Sequence, residues 1–193
     1  MTAPTPSPDG RRRRSAQSRD RIITAMIELV EGGAITPSAE DVAARAAVGL
    51  RSVFRHFRDM ESLYHEMSVR ISSQYRMWLV PFESPDWRGQ LDETIDRRLT
   101  TYERLMPFKR AADAHRHESP SMQADYLATL RMMRTRLESV LPADCGPDRL
   151  EAVDLLLSFE VWQRLRSEQA LSEPEARQVI QRQITRTLSQ LIG

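Results

Sequence analysis

Apolar residues recur at helical spacing along most of this chain, and no stretch shows the alternation of period two expected of a half-buried strand. A first helix is predicted over residues 18–31, where Ile22, Ile23, Met26, Ile27, Leu29 and Val30 line the core side and Gly32-Gly33 stops it. Ser38, with Asp41 three residues on, predicts a capped start for a second helix whose apolar face is Val42, Ala43 and Ala46. A turn over residues 46–49 leads into a third helix, where Leu50, Val53, Phe54 and Phe57 repeat at i, i+3, i+4, i+7 as a core face. Asp59 is placed to cap a longer fourth helix carrying Leu63, Met67, Ile71 and Trp78 and ending before Pro81, and residues 81–89, PFESPDWRG, are turn chemistry. Helices are then expected over 90–106, 108–117, 121–141, 147–169 and 173–191, divided by Pro107, Pro120, the segment 142–147 and Ser172 to Pro174. The pattern implies an all-α chain of about nine helices without an internal repeat.

Two short helices joined by a tight turn form a unit that fits a DNA groove, and the side chains outside the core face of the third helix suit that use. Arg51, Ser52, Arg55 and His56 fall on one side, a face of hydrogen-bond donors. In a major groove an Arg can donate two bonds to guanine, a Ser can bond a base edge or a phosphate, and a small apolar group can meet a thymine methyl. Charge supports the placement. The whole chain is balanced, with 28 Lys+Arg against 27 Asp+Glu, but residues 1–58 hold ten Arg and six acids, leaving the remainder at net −3. Residues 1–17, Pro-rich and then basic, are expected to be a disordered arm, with Arg11 to Arg14 available to a minor groove or to phosphates. Residues 18–64 are read as the DNA-binding domain, with the reading unit at 38–57.

Across roughly Arg19 to Leu63 the chain resembles the TetR family of bacterial transcriptional regulators, whose DNA-binding domain carries a pattern of the type T-x-x-x-[IV]-A-x-x-A-G-V-S-x-x-T-[LV]-Y-x-H-F-x-x-K-E-x-L. Val42-Ala43, Ala46, Val48, Val53, His56-Phe57, Glu61 and Leu63 match it, and Ser52 stands in place of Thr. Three positions depart from it. Phe54 and Met60 replace a Tyr and a Lys that bond DNA phosphates in the family, and Ala47 occupies the usual turn glycine. Arg55 and Arg58 are candidates to supply the missing phosphate contacts. The DNA-contacting set expected is therefore Ser38, Leu50, Arg51, Ser52, Phe54, Arg55, His56 and Arg58.

The resemblance further implies that residues 65–193 form a helical effector-binding and dimerisation domain. Its middle helices would hold a small-molecule effector of unknown identity, with Trp78, Tyr102, Met106, Phe108, Met122, Tyr126, Met132 and Met133 as a soft, adaptable lining. The last two helices would join two subunits in a four-helix interface through Leu156, Phe159, Trp162, Val179, Ile180, Ile184 and Leu188. A core of one chain could use the same residues. The resulting expectation is a homodimer on a palindromic operator in double-stranded DNA, a repressor released by its effector.

Other classes compete. A helical-bundle enzyme of the carboxylate-bridged type needs Glu-x-x-His, but Val53, Ser62, Ala112 and Ala114 precede the four histidines by three residues. An adaptor whose helix-turn-helix binds protein rather than DNA is left open by Phe54 and Met60. The Asp113, His115 and His117 series places successive ligands on different sides of a helix, so no metal, catalytic residue or cofactor is expected. Cys145 stands alone, and no apolar run follows the basic start or reaches the length of a membrane span. The expected location is cytoplasmic, on the nucleoid, with no membrane partner.

Overall fold

The structure, a computed structural model, describes residues 8–72, 77–117 and 119–189. Among them are nine α-helices and no strand: α1 (Pro8–Glu31), α2 (Ala39–Arg45), α3 (Leu50–His56), α4 (Met60–Ser72), α5 (Trp87–Arg116), α6 (Pro120–Val140), α7 (Pro147–Leu156), α8 (Phe159–Gln163) and α9 (Glu173–Leu188). They fall into two compact units, one of Met1–Ile71 with Pro107–Met122 and one of Ser72–Met106 with Gln123–Gly193. The division differs from the expected boundary after residue 64. Helix α4 up to Ile71 and the last ten residues of α5 count with the first unit.

In the first unit α1 packs on α2, α2 on α3, and α1 touches α3. Ile22, Ile23, Met26 and Val30 of α1 are buried, as are Val42 and Ala43, Val53, Phe57, and Leu63, Tyr64 and Met67 of α4. Short helices need their ends satisfied, and the sequence supplies the caps. The Ser38 hydroxyl accepts the Asp41 N–H at 3.1 Å and the Asp41 carboxylate accepts the Ser38 N–H at 3.0 Å, closing the predicted box. Asp59 caps α4 by accepting the Ser62 N–H at 2.8 Å. Gly33 ends α1 at a φ of 98°, open to glycine and costly to other residues. The Tyr64 hydroxyl donates to the Ile35 carbonyl at 3.3 Å, and its ring lies 4.0 Å from that of His115; burial pushes the phenol up to about 12.

The second unit is built around Leu91, Ile95, Leu99 and Tyr102 of α5, Leu137 and Val140 of α6, Val153, Leu157 and Trp162, and Ile180, Ile184 and Leu188 of α9. Polar groups within it are paired. The Tyr102 hydroxyl donates to the Leu157 carbonyl at 2.9 Å, and the Trp162 indole N–H donates at 3.1 Å to Glu103, which also pairs with Arg166 at 2.7 Å. The Arg166 guanidinium, working against the cost of burial, holds the Glu103 carboxyl below its ordinary pKa.

Several predicted boundaries move. Helix α1 starts at Pro8, so residues 8–17, expected to be part of a disordered arm, are its opening turns, with Arg12, Arg13 and Arg14 exposed; the arm before Pro8 lies outside the described residues. Pro107 does not divide a helix from its successor. It sits inside α5, because a proline removes one backbone donor and strains one turn, about 3 kcal/mol, which a long helix packed on both sides of it can absorb. The expected single helix over 147–169 is broken at Leu157, where the Ser158 hydroxyl accepts the Val161 N–H at 3.3 Å and starts α8, and one turn of π-helix follows at Arg164–Glu168. Beyond Ser72, residues 73–76 of the predicted fourth helix lie outside the described residues and 77–79 form a 3-10 turn, while α9 is described only as far as Leu188.

Candidate functional site

Helix α3 follows its N-cap Gly49 and is two turns long, and α1 and α2, the helices packed on it, cover only one of its sides. Val53 and Phe57 take that side, at 1% and 4% exposure. Leu50 and Phe54, predicted to complete the core face, instead lie outside at 38% and 49%, because apolar periodicity marks a stripe wider than α1 and α2 can cover. The exposed stripe is Arg51, Phe54, Arg55 and Arg58, at i, i+3, i+4, i+7, flanked by Leu50 and the half-buried Ser52. Among the described residues neither Arg51 nor Arg55 meets a carboxylate, whereas Arg58 bonds Asp59 at 2.8 Å.

His56 departs from the donor face assigned to it. Its ring is partly buried and its Nε2 is enclosed without a hydrogen-bond partner; burial first, then Arg55 and Arg19, depress its pKa and favour the neutral imidazole. The Ser38 hydroxyl is engaged by Asp41 in the cap of α2. Ala47, in the turn between α2 and α3, has a φ of 51°, the left-handed angle that glycine would adopt without strain. Arg19 was not singled out in the sequence. Its guanidinium lies 5.0 Å from the Phe57 ring and 2.5 Å from Glu66, tying α1 to the end of the reading unit, and only its position one helical turn before Ile22 hints at this.

The eight residues proposed for an effector pocket do not form one lining. Trp78, Met132 and Met133 border a cleft in the second unit, together with Phe82, Arg97 and Arg136. The cleft is small, with a cavity volume of about 20 Å³. Tyr102 is buried in the core, Met106 is packed against it, and the Tyr126 hydroxyl reaches Glu160 at 3.0 Å. Phe108 and Met122 belong to the first unit. The arginines of the cleft were missed. Arg98 gave a signal, since it continues the apolar series of Leu91, Ile95 and Tyr102 at helical spacing and is 3% exposed.

The proposed dimer residues are likewise redistributed. Phe159, Trp162, Ile180, Ile184 and Leu188 are buried in the core of their own chain, the alternative use that the sequence left open for them. Physically, a helix apolar all round is covered on every side, and here one chain supplies the cover. Leu156 and Val179 remain half-buried, and Leu155 is 66% exposed.

No family model matches the chain, and no curated protein matches it in sequence. Two solved structures do match it in fold. A protein of Streptomyces coelicolor A3(2), SCO7518, described as a candidate transcriptional regulator, is 21% identical with a TM-score of 0.63, over 89% of this chain and 98% of that one. A TetR transcriptional regulator of Rhodococcus sp. RHA1 is 19% identical with a TM-score of 0.54, over 90% of this chain and 98% of that one. Among the described residues the chain therefore has the all-α fold of these two proteins, one of them named as a TetR transcriptional regulator.

Proposed function

We propose that this chain is a sequence-specific DNA-binding transcriptional regulator. The observation that carries the reading is the exposed stripe of α3, where Arg51 and Arg55, among the described residues, meet no carboxylate, on a two-turn helix that follows a capped α2 and a tight turn. Such a helix presents guanidinium forks to base edges in a major groove, with Leu50 and Phe54 available to thymine methyls and Arg58 to phosphate. The protein acts as a homodimer on a palindromic operator, and Leu155, Leu156 and Val179 are apolar side chains near its last helices that the chain itself does not fully bury and a second copy would cover. An effector taken up by the second unit releases it, so the chain is a repressor, and the effector binds one of two states of the protein more tightly than the other.

Recovery of genomic fragments by the purified protein near physiological salt, followed by footprinting, tests this. A palindromic footprint whose affinity falls steeply with salt is expected, because each neutralised phosphate releases a counterion. The second reading, an adaptor that binds protein, is favoured by one feature, the exposed phenyl ring of Phe54 where a DNA reader of this fold carries a phenol. Absence of enrichment at any salt concentration would select it.

A further inference from the structure

Arg97 and Arg98 of α5 and Arg136 of α6 line the cleft of the second unit beside Trp78 and Phe82, and among the described residues the three share two carboxylates, Glu93 and Asp154. Arg97 pairs with Glu93 at 2.7 Å, but that carboxylate also accepts the backbone N–H groups of Glu83 at 3.1 Å and Ser84 at 2.8 Å. Arg98 reaches Asp154 at 3.4 Å, longer than a good charge-assisted bond, and Asp154 is shared with Arg134 at 3.6 Å. Among the described residues no carboxylate pairs with Arg136. Its Nη2 donates to the Val80 carbonyl at 2.7 Å, and the same oxygen accepts Arg97 Nη1 at 2.6 Å. The two guanidinium groups thus converge on one oxygen, and both lie over the Phe82 ring, 4.1 Å and 5.2 Å from its centroid.

Stapling the Val80 and Pro81 carbonyls explains some of these donors. It does not explain why a second cation is brought against the first with a single carboxylate nearby. Burial, then the charge of Arg97, push the Arg136 pKa below the ordinary arginine value, and the group stays a cation because arginine does not deprotonate in proteins. Like charges held close in a partly dried cleft repel until an anion joins them. Apolar surface adjoins this head-group position, with Trp78, Met132 and Met133 inside and Leu79 and Val80 exposed at 57% and 51%.

We propose that the cleft binds a small organic carboxylate with an aromatic or aliphatic tail, its head held by Arg136 and Arg97. The inference deepens the effector reading given above, rests on it, and supplies the chemical class. The space present suits a head group of about one or two water volumes, so the tail lies along the apolar side chains of Leu79 and Val80.

Calorimetric titration of the full chain with phenylacetate and phenylacetamide, equal in shape and different in charge, tests it. The acid is expected to bind at least about tenfold more tightly than the amide, and also more tightly than acetate or inorganic phosphate, which lack the tail. Arg136→Gln should abolish the preference for acid over amide, while Arg131→Gln, an exposed position on the same helix, should keep it. Equal affinity for acid and amide, no binding of phenylacetate up to about 10 mM, acetate or phosphate binding as well as phenylacetate, or a preference that survives Arg136→Gln would each overturn the proposal. The acid–amide comparison on the unaltered chain needs no variant to fold. The titration contains no DNA, so its failure leaves the operator reading standing, and a failed footprint leaves the anion site standing.

Discussion

Arginines occupy opposite environments in the two units. On α3, Arg51 and Arg55 project into solvent and, among the described residues, meet no carboxylate. In the second unit Arg97, Arg98 and Arg136 are all held by backbone carbonyls, Arg98 by that of Met133 at 2.6 Å, and rest against aromatic or apolar side chains. An exposed guanidinium contributes little to folding and keeps all five donors for an incoming ligand, whereas a buried one is part of the architecture and is already aimed. The same contrast holds for the aromatics. Phe54 faces outward from the reading unit, and Trp162 is wholly enclosed in the second unit. Substitutions should therefore separate stability from recognition according to the unit they fall in.

The largest effect expected is on stability alone. Trp162→Ala removes a side chain with 0% exposure and strips Glu103 of one of its donors, so a loss of about 3 to 5 kcal/mol is predicted in urea unfolding. A near-neutral result would mean that Trp162 contributes little to its own chain's core and would favour its assignment to a subunit interface. Arg51→Ala is the opposite case. Its melting temperature should stay put while discrimination at one operator base pair falls by about 1 to 3 kcal/mol, measured by competition between operator variants. Equal weakening on every sequence would make Arg51 a phosphate clamp and dissolve that part of the contrast.

What could be read from the sequence follows the range of the forces involved. Caps are local, so Ser38 with Asp41, Asp59, and the glycines at 33 and 49 located the helix-turn-helix unit without knowledge of its surroundings. Coverage is not local. Periodicity marked Leu50 and Phe54 as apolar but could not tell that α1 and α2 cover only the Val53 and Phe57 side. The apolar residues of 153–165 read as one helix because Ser158 is a single polar residue in an apolar run, and only the folded chain shows it capping α8 beside a Leu157 carbonyl that accepts the Tyr102 hydroxyl. Pro107 was over-read for the converse reason, since a local penalty of a few kcal/mol yields to packing along thirty residues of helix. Arg98 stands in the apolar series of α5, but its partners, the Met133 carbonyl and Asp154, are 35 and 56 residues away and leave no local trace.

Within the reading unit a smaller test asks whether its geometry is set by caps rather than by bulk packing. Ser38→Ala should destabilise the protein by about 1 kcal/mol and weaken operator binding in proportion to the loss of α2. The box needs ionised Asp41, whose pKa the Ser38 side-chain and backbone hydrogen bonds hold below the ordinary carboxylate value. Its contribution is thus complete above that ordinary value and is lost as pH falls through the depressed one. The difference in melting temperature between the unaltered protein and the Ser38→Ala variant should accordingly narrow on acidification; a gap independent of pH would assign the effect to the hydroxyl alone.

The smallest expected effect is the one that compares the two units most directly. Ala47 in the first unit and Ala170 in the second both have left-handed backbones, with φ of 51° and 55°. In the first, the Val48 N–H reaches back to the Ala43 carbonyl at 3.0 Å, and in the second the Leu171 N–H reaches the Leu165 carbonyl at 3.0 Å, so each alanine is fixed by a hydrogen bond from the residue after it. A Cβ in this region costs about 1 to 2 kcal/mol, and glycine would remove that cost while losing about 0.4 to 1 kcal/mol through the greater freedom of its unfolded chain. Ala47→Gly and Ala170→Gly should therefore each stabilise by up to about 1 kcal/mol, without moving the operator preference that Arg51 sets. Equal gains would place the strain in the local backbone. A gain at Ala170 alone would mean that the turn before α3 relaxes when its alanine is removed, and a changed operator preference of the Ala47→Gly variant would then show that the strained turn fixes the angle at which the exposed stripe meets DNA.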